Sequence, residues 1–162
     1  MSLLIRPADS QDGPALWAIL EPVIRAGETY ALDRDLSREA ALAYWLGADR
    51  ATFVVEVEGD VLGTYYLRAN QAGGGAHVAN CGYATLPEAR GRGIARAMAE
   101  HSFVEARARG FTAMQFNFVV SSNVGAVRLW QALGFETVGR LPAAFAHPAL
   151  GLVDALVLYR RL

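Results

Sequence analysis

Arg90-Gly91-Arg92-Gly93-Ile94-Ala95 is the stretch on which the reading of this chain turns. It lies between a strand-like run, His77 to Leu86, and a run of helical periodicity that extends to about Arg109. A glycine-rich strand-to-helix turn suits phosphate. With no side chain at Gly91 or Gly93, main-chain N–H groups can close around phosphate oxygens, and the following helix adds the positive end of its dipole. Arg90, Arg92 and Arg96 add fixed charge nearby.

The 162 residues, 53% of them hydrophobic, predict one domain spanning residues 1–162. A net charge of −1 provides no global field for nucleic acid, so the arginines of residues 90–109 form a local patch that suits a small anion. All 15 basic residues are arginine, which excludes a lysine Schiff base or lysine nucleophile and leaves acid–base or positional chemistry. The lone Cys81 has no partner for an internal disulfide, and no run resembles a signal peptide or a membrane span. A cytoplasmic protein without a membrane partner is expected. No cluster of His, Cys and Asp has metal-ligand spacing, so no metal is expected.

Working outward from the loop, Ile94, Ala97, Met98, His101, Val104 and Ala108 share one helical face and predict a core-facing stripe ended by Gly110. Upstream, Ser2 to Arg6 predicts a strand. A helix follows, capped by Asp12, with Pro14 in its first turn and a kink or break at Pro22. Gly27 to Asp35 is a loop, and Ser37 opens a helix ending near Leu46. Thr52–Val57 and Val61–Leu67 form a hairpin around Glu58-Gly59-Asp60, and Gly73-Gly74-Gly75 turns into the strand before the loop. Downstream, Met114–Val120 is a strand, and Ser122 or Asn123 caps a helix to Leu133 that Gly134 stops. Phe135 to about Arg140 and Leu152–Arg160 are the last strands. This order predicts a three-layer α/β fold, a mixed sheet flanked by helices.

Two motifs resemble the GNAT N-acetyltransferase superfamily. Arg90-Gly91-Arg92-Gly93-Ile94-Ala95 is similar to its Arg/Gln-x-x-Gly-x-Gly/Ala loop. Asn123, Ala126, Leu129, Trp130, Gly134 and Phe135 resemble its second signature, Asn-x-x-Ala-x-x-Leu-Tyr-x-x-x-Gly-Phe. A dinucleotide fingerprint fails because Arg96 stands where its third glycine belongs, and a kinase-like loop fails because the chain has no lysine. The resemblance implies acetyl-CoA as co-substrate, with its pyrophosphate on Arg90, Gly91, Arg92, Gly93, Ile94 and Ala95. It also implies main-chain contacts from Gly82, Tyr83, Ala84 and Thr85 to the pantetheine arm and thioester, and a contact from Asn123.

This chain departs from the family at Trp130, where a tyrosine often protonates the departing thiolate; an indole N–H is not a usable acid. Because thiols titrate near ~8.5, water can serve instead. Two roles fit Trp130, lining the pantetheine channel or packing the core with Ala126, Leu129 and Leu133. Asn123 likewise fits a helix cap, a cofactor contact, or both.

The strand before the loop also lacks the carboxylate that many family members use as general base, running His77-Val78-Ala79-Asn80-Cys81-Gly82. The pattern of Asn80, then Gln115-Phe116-Asn117-Phe118, then Asn123, then Gly139 to Asp154 resembles acetyltransferases of proline analogues such as azetidine-2-carboxylate. By that resemblance Asn80 and Asn117 hold the acceptor; the alternative is that both satisfy backbone groups at strand ends. In the loop between the first two helices, Glu28 is a base candidate and Thr29 and Tyr30 acceptor-wall candidates, unless the segment is plain surface. His147 fits an acid–base or a structural role, His101 a satisfied core position, and Cys81 a buried inert thiol.

The expected function is transfer of an acetyl group from acetyl-CoA to a small-molecule amine, an amino acid or analogue. The alternatives are a noncatalytic acyl-CoA sensor and a protein N-terminal acetyltransferase. A homodimer is expected from Phe103, opposite the stripe, and from the apolar loop Leu141 to Pro148 as lid or subunit contact.

Overall fold

The computed structural model describes residues 2–162. Its strands are β1 (Leu3–Pro7), β2 (Arg50–Val57), β3 (Asp60–Ala69), β4 (Val78–Thr85), β5 (Ala113–Val120), β6 (Glu136–His147) and β7 (Gly151–Arg161). They form one sheet in the order β1-β2-β3-β4-β5-β7-β6, antiparallel throughout except where β4 meets β5. Helices α1 (Gly13–Ala26) and α2 (Arg38–Trp45) cover one face; α3 (Ile94–Ala108) and α4 (Val124–Ala132) cover the other. The expected three-layer mixed α/β architecture is the one observed.

Period-two alternation along β3 feeds both layers. Tyr66 joins Val54 and Ala84 beneath Leu16, Ile19 and Leu20 of α1, whereas Tyr65 and Leu67 pack with Ile94 and Met98 of α3. Leu16, Ile19, Met98 and Ile94 are essentially fully buried, each contributing roughly 1.5–3 kcal/mol of transfer free energy. Glu58 and Gly59 both have positive φ, the combination a two-residue β2–β3 hairpin turn requires.

Several expectations need correction. The α3 stripe is rotated: Val104 is 62% exposed and Ala108 is also exposed, while Ala99, Ser102, Phe103 and Ala106 are buried beside Ile94 and Met98. Phe103, only 5% exposed, packs against Phe135 and under the Arg160 guanidinium, so it offers no surface to a second copy. Pro22 does not end α1, which runs to Ala26. The hydrogen bond lost at proline is offset by burial on both sides of it, at Leu20, Val23 and Ile24. Asp12 does not cap α1 with its side chain; its carboxylate takes Arg6 Nη1 and Nη2, each at 2.8 Å, and the Asp9 N–H at 2.7 Å.

Residues 141–147 are not a loop but the outer half of β6. Pro142, Ala143 and Ala144 bulge between the pairs Leu141–Ala155 and Phe145–Val153. A proline is tolerated there because β6 is the edge strand and the bulge needs no ladder donor. Asp154 organises the bulge, accepting from Ala143 N–H at 2.9 Å and Arg140 Nη1 at 2.7 Å. These two bonds, the Ala143 one first, hold its carboxyl below the usual range.

The feature that creates a site is the parting of β4 from β5. They pair only at Val78–Ala113 and Ala79–Met114, yet continue to Thr85 and Val120. Where they separate, Asn80 Nδ2 donates to the Gln115 carbonyl at 2.9 Å. Farther along, a bulge at Asn117 and Phe118, between the pairs Phe116–Leu158 and Val119–Leu156, bends β5.

Candidate active site

The separated strands open a cleft of about 850 Å³. The residues bordering it come from α1 and its following loop, α2, β3, β4, β5, α4 and the end of β6, and it reaches the loop at Arg90 and Gly91. A second hollow of about 390 Å³ adjoins it, bordered by Arg90, Gly91, Gly93, Ile94 and Ala95 and by Gly125 and Leu129 of α4. The strand-to-helix loop is therefore at one end and the loop carrying Glu28, Thr29 and Tyr30 at the other.

At the loop end, Gly91 and Gly93 have φ of 77° and 78°, the left-handed conformation that side chains disfavour. A Cβ built on either would touch no protein atom within 4 Å and would occupy only the open hollow. Gly93 is the N-cap of α3 and supplies no side-chain cap, so the first N–H groups of the helix, at Ile94, Ala95 and Arg96, have no intrahelical acceptor. These features together fit a phosphate-bearing group. Arg96 is partly committed, its Nε lying 3.1 Å from Glu100 Oε1; Arg90 borders the cleft directly.

Strand parity determines what β4 offers. Asn70 N–H donates to Val78 O, and Leu86 N–H donates to Leu62 O, both at 2.8 Å. In an unbroken antiparallel register the pairs between them, Arg68–Asn80, Tyr66–Gly82 and Thr64–Ala84, exchange their main-chain bonds across β3 and β4. Cys81, Tyr83 and Thr85 then turn their N–H and C=O groups toward the gap. The expected donors thus divide: Tyr83 and Thr85 face the cleft, while the N–H groups of Gly82 and Ala84 are taken by the ladder. Gly82 serves by lacking a side chain, since a Cβ there would lie 2.3 Å from the Tyr66 ring.

The second signature lies on α4. Asn123 is the N-cap residue by position, but its side chain makes no capping bond; it borders the cleft. Trp130 adopts the core-packing position and also borders the cleft. It is buried against Tyr83, Phe116 and Phe135, with ring centroids 5.0, 4.7 and 5.9 Å away.

At the other end, the Tyr30 hydroxyl donates to the Tyr83 carbonyl at 2.7 Å, and Glu28 and Thr29 border the same space. Burial raises the Tyr30 phenol well above its ordinary value, so it remains a neutral donor. Asn80 is 6% exposed and both ends of its carboxamide are used, Nδ2 on Gln115 O and Oδ1 by Arg68 Nε at 3.3 Å. Asn117 is exposed at the rim, accepting from Gln115 Nε2 at 2.9 Å and donating to Asn70 Oδ1 at 2.6 Å. Both asparagines border the cleft and both also bridge backbone or neighbouring amides.

His147 also borders the cleft. Its Nδ1 accepts from the N–H groups of Ala149 and Leu150, both at 3.1 Å, so the ring braces the β6–β7 turn. His101 is satisfied by Tyr65 Oη at 2.7 Å, and desolvation lowers its pKa. Burial pushes the Cys81 thiol up to about 12. No group of three or more His, Cys, Asp or Glu suited to a metal occurs among the described residues. Sequence reasoning missed Tyr44, Tyr66 and Arg68, which also border the cleft. The available signal was the parity of β3, which puts Tyr66 and Arg68 opposite Gly82 and Asn80.

Comparison with known proteins agrees with this geometry. The model of the acetyltransferase (GNAT) family matches residues 17–135. The N-acetyltransferase aca1 of Schizosaccharomyces pombe is 28% identical over 151 residues, covering 83% of this chain and 72% of that protein. A GCN5-related N-acetyltransferase from Kribbella flavida superposes with a TM-score of 0.94 at 41% identity, over 99% of this chain and 98% of that one. A phosphinothricin acetyltransferase from Sinorhizobium meliloti in complex with AcCoA shares the fold, with a TM-score of 0.86 at 24% identity over 100% and 89% of the two chains.

Proposed function

The chain belongs to the acetyltransferase (GNAT) family, and from that premise we propose that it transfers an acetyl group from acetyl-CoA to the amine of a small molecule, an amino acid or analogue. The observation that carries the reading is the continuity of the cleft from the uncapped N-terminus of α3, along the unpaired edge of β4, to the loop carrying Glu28 and Tyr30. Acetyl-CoA supplies the acetyl group as a thioester. Arg90, Arg92, the glycines and the N–H groups of Ile94 and Ala95 receive its pyrophosphate, Asn123 and Trp130 flank its pantetheine arm, and Gly82 and Ala84 shape the wall.

The residues of the acceptor end act by position and proton transfer. Glu28, directly or through water, takes the proton of the incoming ammonium so that a neutral amine attacks. Thr29 and Tyr30 form the wall, and Asn80 and Asn117 orient the acceptor with the hydrogen-bonding capacity left to them. The N–H groups of Tyr83 and Thr85 face the carbonyl oxygen as it takes negative charge. Trp130 has no titratable proton to give, which leaves protonation of the departing thiolate to water. The likeness to proline-analogue acetyltransferases supports a cyclic amino acid among the acceptors.

Acetyl-CoA-dependent thiol release, scanned over amino acids, their analogues and simple amines, tests the proposal. Release with at least one amino acid is expected. A folded protein that binds acetyl-CoA but releases thiol with no amine is instead a sensor. Among the described residues no helix is long and apolar enough to cross a membrane; a cytoplasmic location remains part of the proposal. A homodimer would form on the outer edge of the sheet, where Leu150 and Leu152 are exposed, and light scattering gives its mass.

A further inference from the structure

We propose that Arg68 reads a carboxylate on the acceptor, making this an enzyme for anionic or zwitterionic amines rather than simple ones; the inference rests on the amine-acceptor reading above. Three formally charged side chains border the cleft among the described residues: Glu28, Arg68 and Arg90. Arg90 belongs to the loop end. Arg68 is therefore the cation of the acceptor end, with Glu28 as its anionic counterpart.

Arg68 is held in place without being neutralised. It stands opposite Asn80 in the β3–β4 register, its Nε donates to Asn80 Oδ1 at 3.3 Å, and its Cζ lies 5.8 Å from the centre of the Tyr66 ring. The nearest carboxylate oxygen, Asp49 Oδ2, is 3.9 Å from Nη1. That carboxylate is already engaged by Arg50, through Nε at 2.8 Å and Nη2 at 3.3 Å. Two guanidinium groups thus share one carboxylate, leaving a local surplus of one positive charge. Arg50, stacked on Tyr44 and Tyr66 at 5.0 and 4.6 Å, does not border the cleft.

Arg68 does, and its side chain is only 29% exposed. A partly desolvated guanidinium fork whose Nη groups make no hydrogen bond among the described residues matches a carboxylate in two-point geometry. With Glu28 also bordering the cleft, its polarity suits a zwitterionic amino acid, ammonium toward Glu28 and carboxylate toward Arg68. A simple amine would leave Arg68 partly desolvated and unpaired, which selects against it.

The test compares amino acids with their carboxamides, proline with prolinamide and methionine with methioninamide, on the wild type and on Arg68→Gln and Arg68→Lys. The wild type is expected to favour the acid by roughly ten- to hundredfold in kcat/KM, the range of a charge-assisted hydrogen bond. In Arg68→Gln the acid-to-amide ratio falls to near one, mainly through KM for the acid, and Arg68→Lys recovers part of it. A wild type indifferent to the carboxylate, or a variant that loses both substrates in equal proportion, overturns the assignment. Calorimetric titration of the same pairs into the CoA-bound protein reads the inference without turnover. Acid-selective binding lost in Arg68→Gln supports it even if no amine is acetylated, whereas equal binding of acid and amide overturns it.

Discussion

The hydroxyl of Tyr30 donates a 2.7 Å hydrogen bond to the main-chain carbonyl of Tyr83, joining the α1–α2 loop to the unpaired edge of β4. The Tyr30 ring also meets Trp45 edge-on at 6.0 Å, and Trp45 Nε1 in turn donates to Thr64 Oγ1 at 2.9 Å. The α1–α2 loop and β4 are thereby coupled through one phenol. Its bond occupies a carbonyl that would otherwise have no sheet partner.

Tyr30→Phe should therefore cost about 1 kcal/mol of stability, the usual loss for one neutral hydrogen bond, and lower Tm by a few degrees. The larger effect should be kinetic, a severalfold rise in acceptor KM with a smaller change in KM for acetyl-CoA. Steady-state kinetics with each substrate varied in turn checks this; equal changes in both constants would mean that the loop does not belong to the acceptor side alone.

Two glycines should give opposite signatures. Gly93→Ala meets no protein atom but must hold a positive φ, costing roughly 1–2 kcal/mol, and places a methyl group where the phosphates should lie. Acetyl-CoA affinity should fall at least about tenfold with only a modest shift in melting. Gly82→Ala instead drives a Cβ into the Tyr66 ring, 2.3 Å from Cε2, and overpacking should destabilise by roughly 1–3 kcal/mol. Calorimetry with acetyl-CoA and thermal melts of both variants separate the two cases.

The half of the cleft proposed to hold the cofactor was legible because it is local. A strand, two glycines needing positive φ and a helix start are contiguous in the chain, as is the Asn123–Phe135 signature. The half proposed to hold the acceptor was only partly legible because it is assembled by register. Arg68 gains meaning from standing opposite Asn80, and the gap at Asn80 exists because β5 pairs with β4 at only two positions. The α3 stripe was misplaced for a related reason: Ile94 and Met98 fit two phases, one continuing through His101 and Val104 and the other through Ser102, Phe103 and Ala106, and packing against the sheet selected the second. Pro142 suggested a loop because a bulge on an edge strand has the same local composition as one.

Cys81 borders the cleft, but its thiol is pushed up to about 12 by burial, which leaves a negligible thiolate fraction at neutral pH. Acetyl transfer should therefore go directly to the amine, with sequential rather than ping-pong kinetics. Iodoacetamide at pH 8 should modify the native protein about a hundredfold or more slowly than free cysteine, and rapidly once it is unfolded. Fast labelling of the folded protein, or parallel lines in double-reciprocal plots, would contradict this.

The ion pair of Arg6 and Asp12 sets a pH limit on stability. Arg6 donates twice to the buried Asp12 carboxylate at 2.8 Å and also reaches Glu56 Oε1 at 3.0 Å, joining β1, the start of α1 and β2. Hydrogen bonding from Arg6, stronger than the opposing effect of burial, lowers the Asp12 pKa. A carboxyl lowered in the folded state stabilises the fold above its unfolded pKa of ~3.9, and that contribution is lost as pH falls through the folded value. Asp12→Asn should cost about 2 kcal/mol near pH 7, less than a fully isolated buried charge would because Arg6 keeps Glu56. Below pH 4 the gap between wild type and variant should shrink, because the wild-type carboxyl is then being protonated as well. Urea denaturation of both proteins at pH 7 and pH 3 measures that gap, and a difference independent of pH would mean that packing, not charge, gives Asp12 its weight.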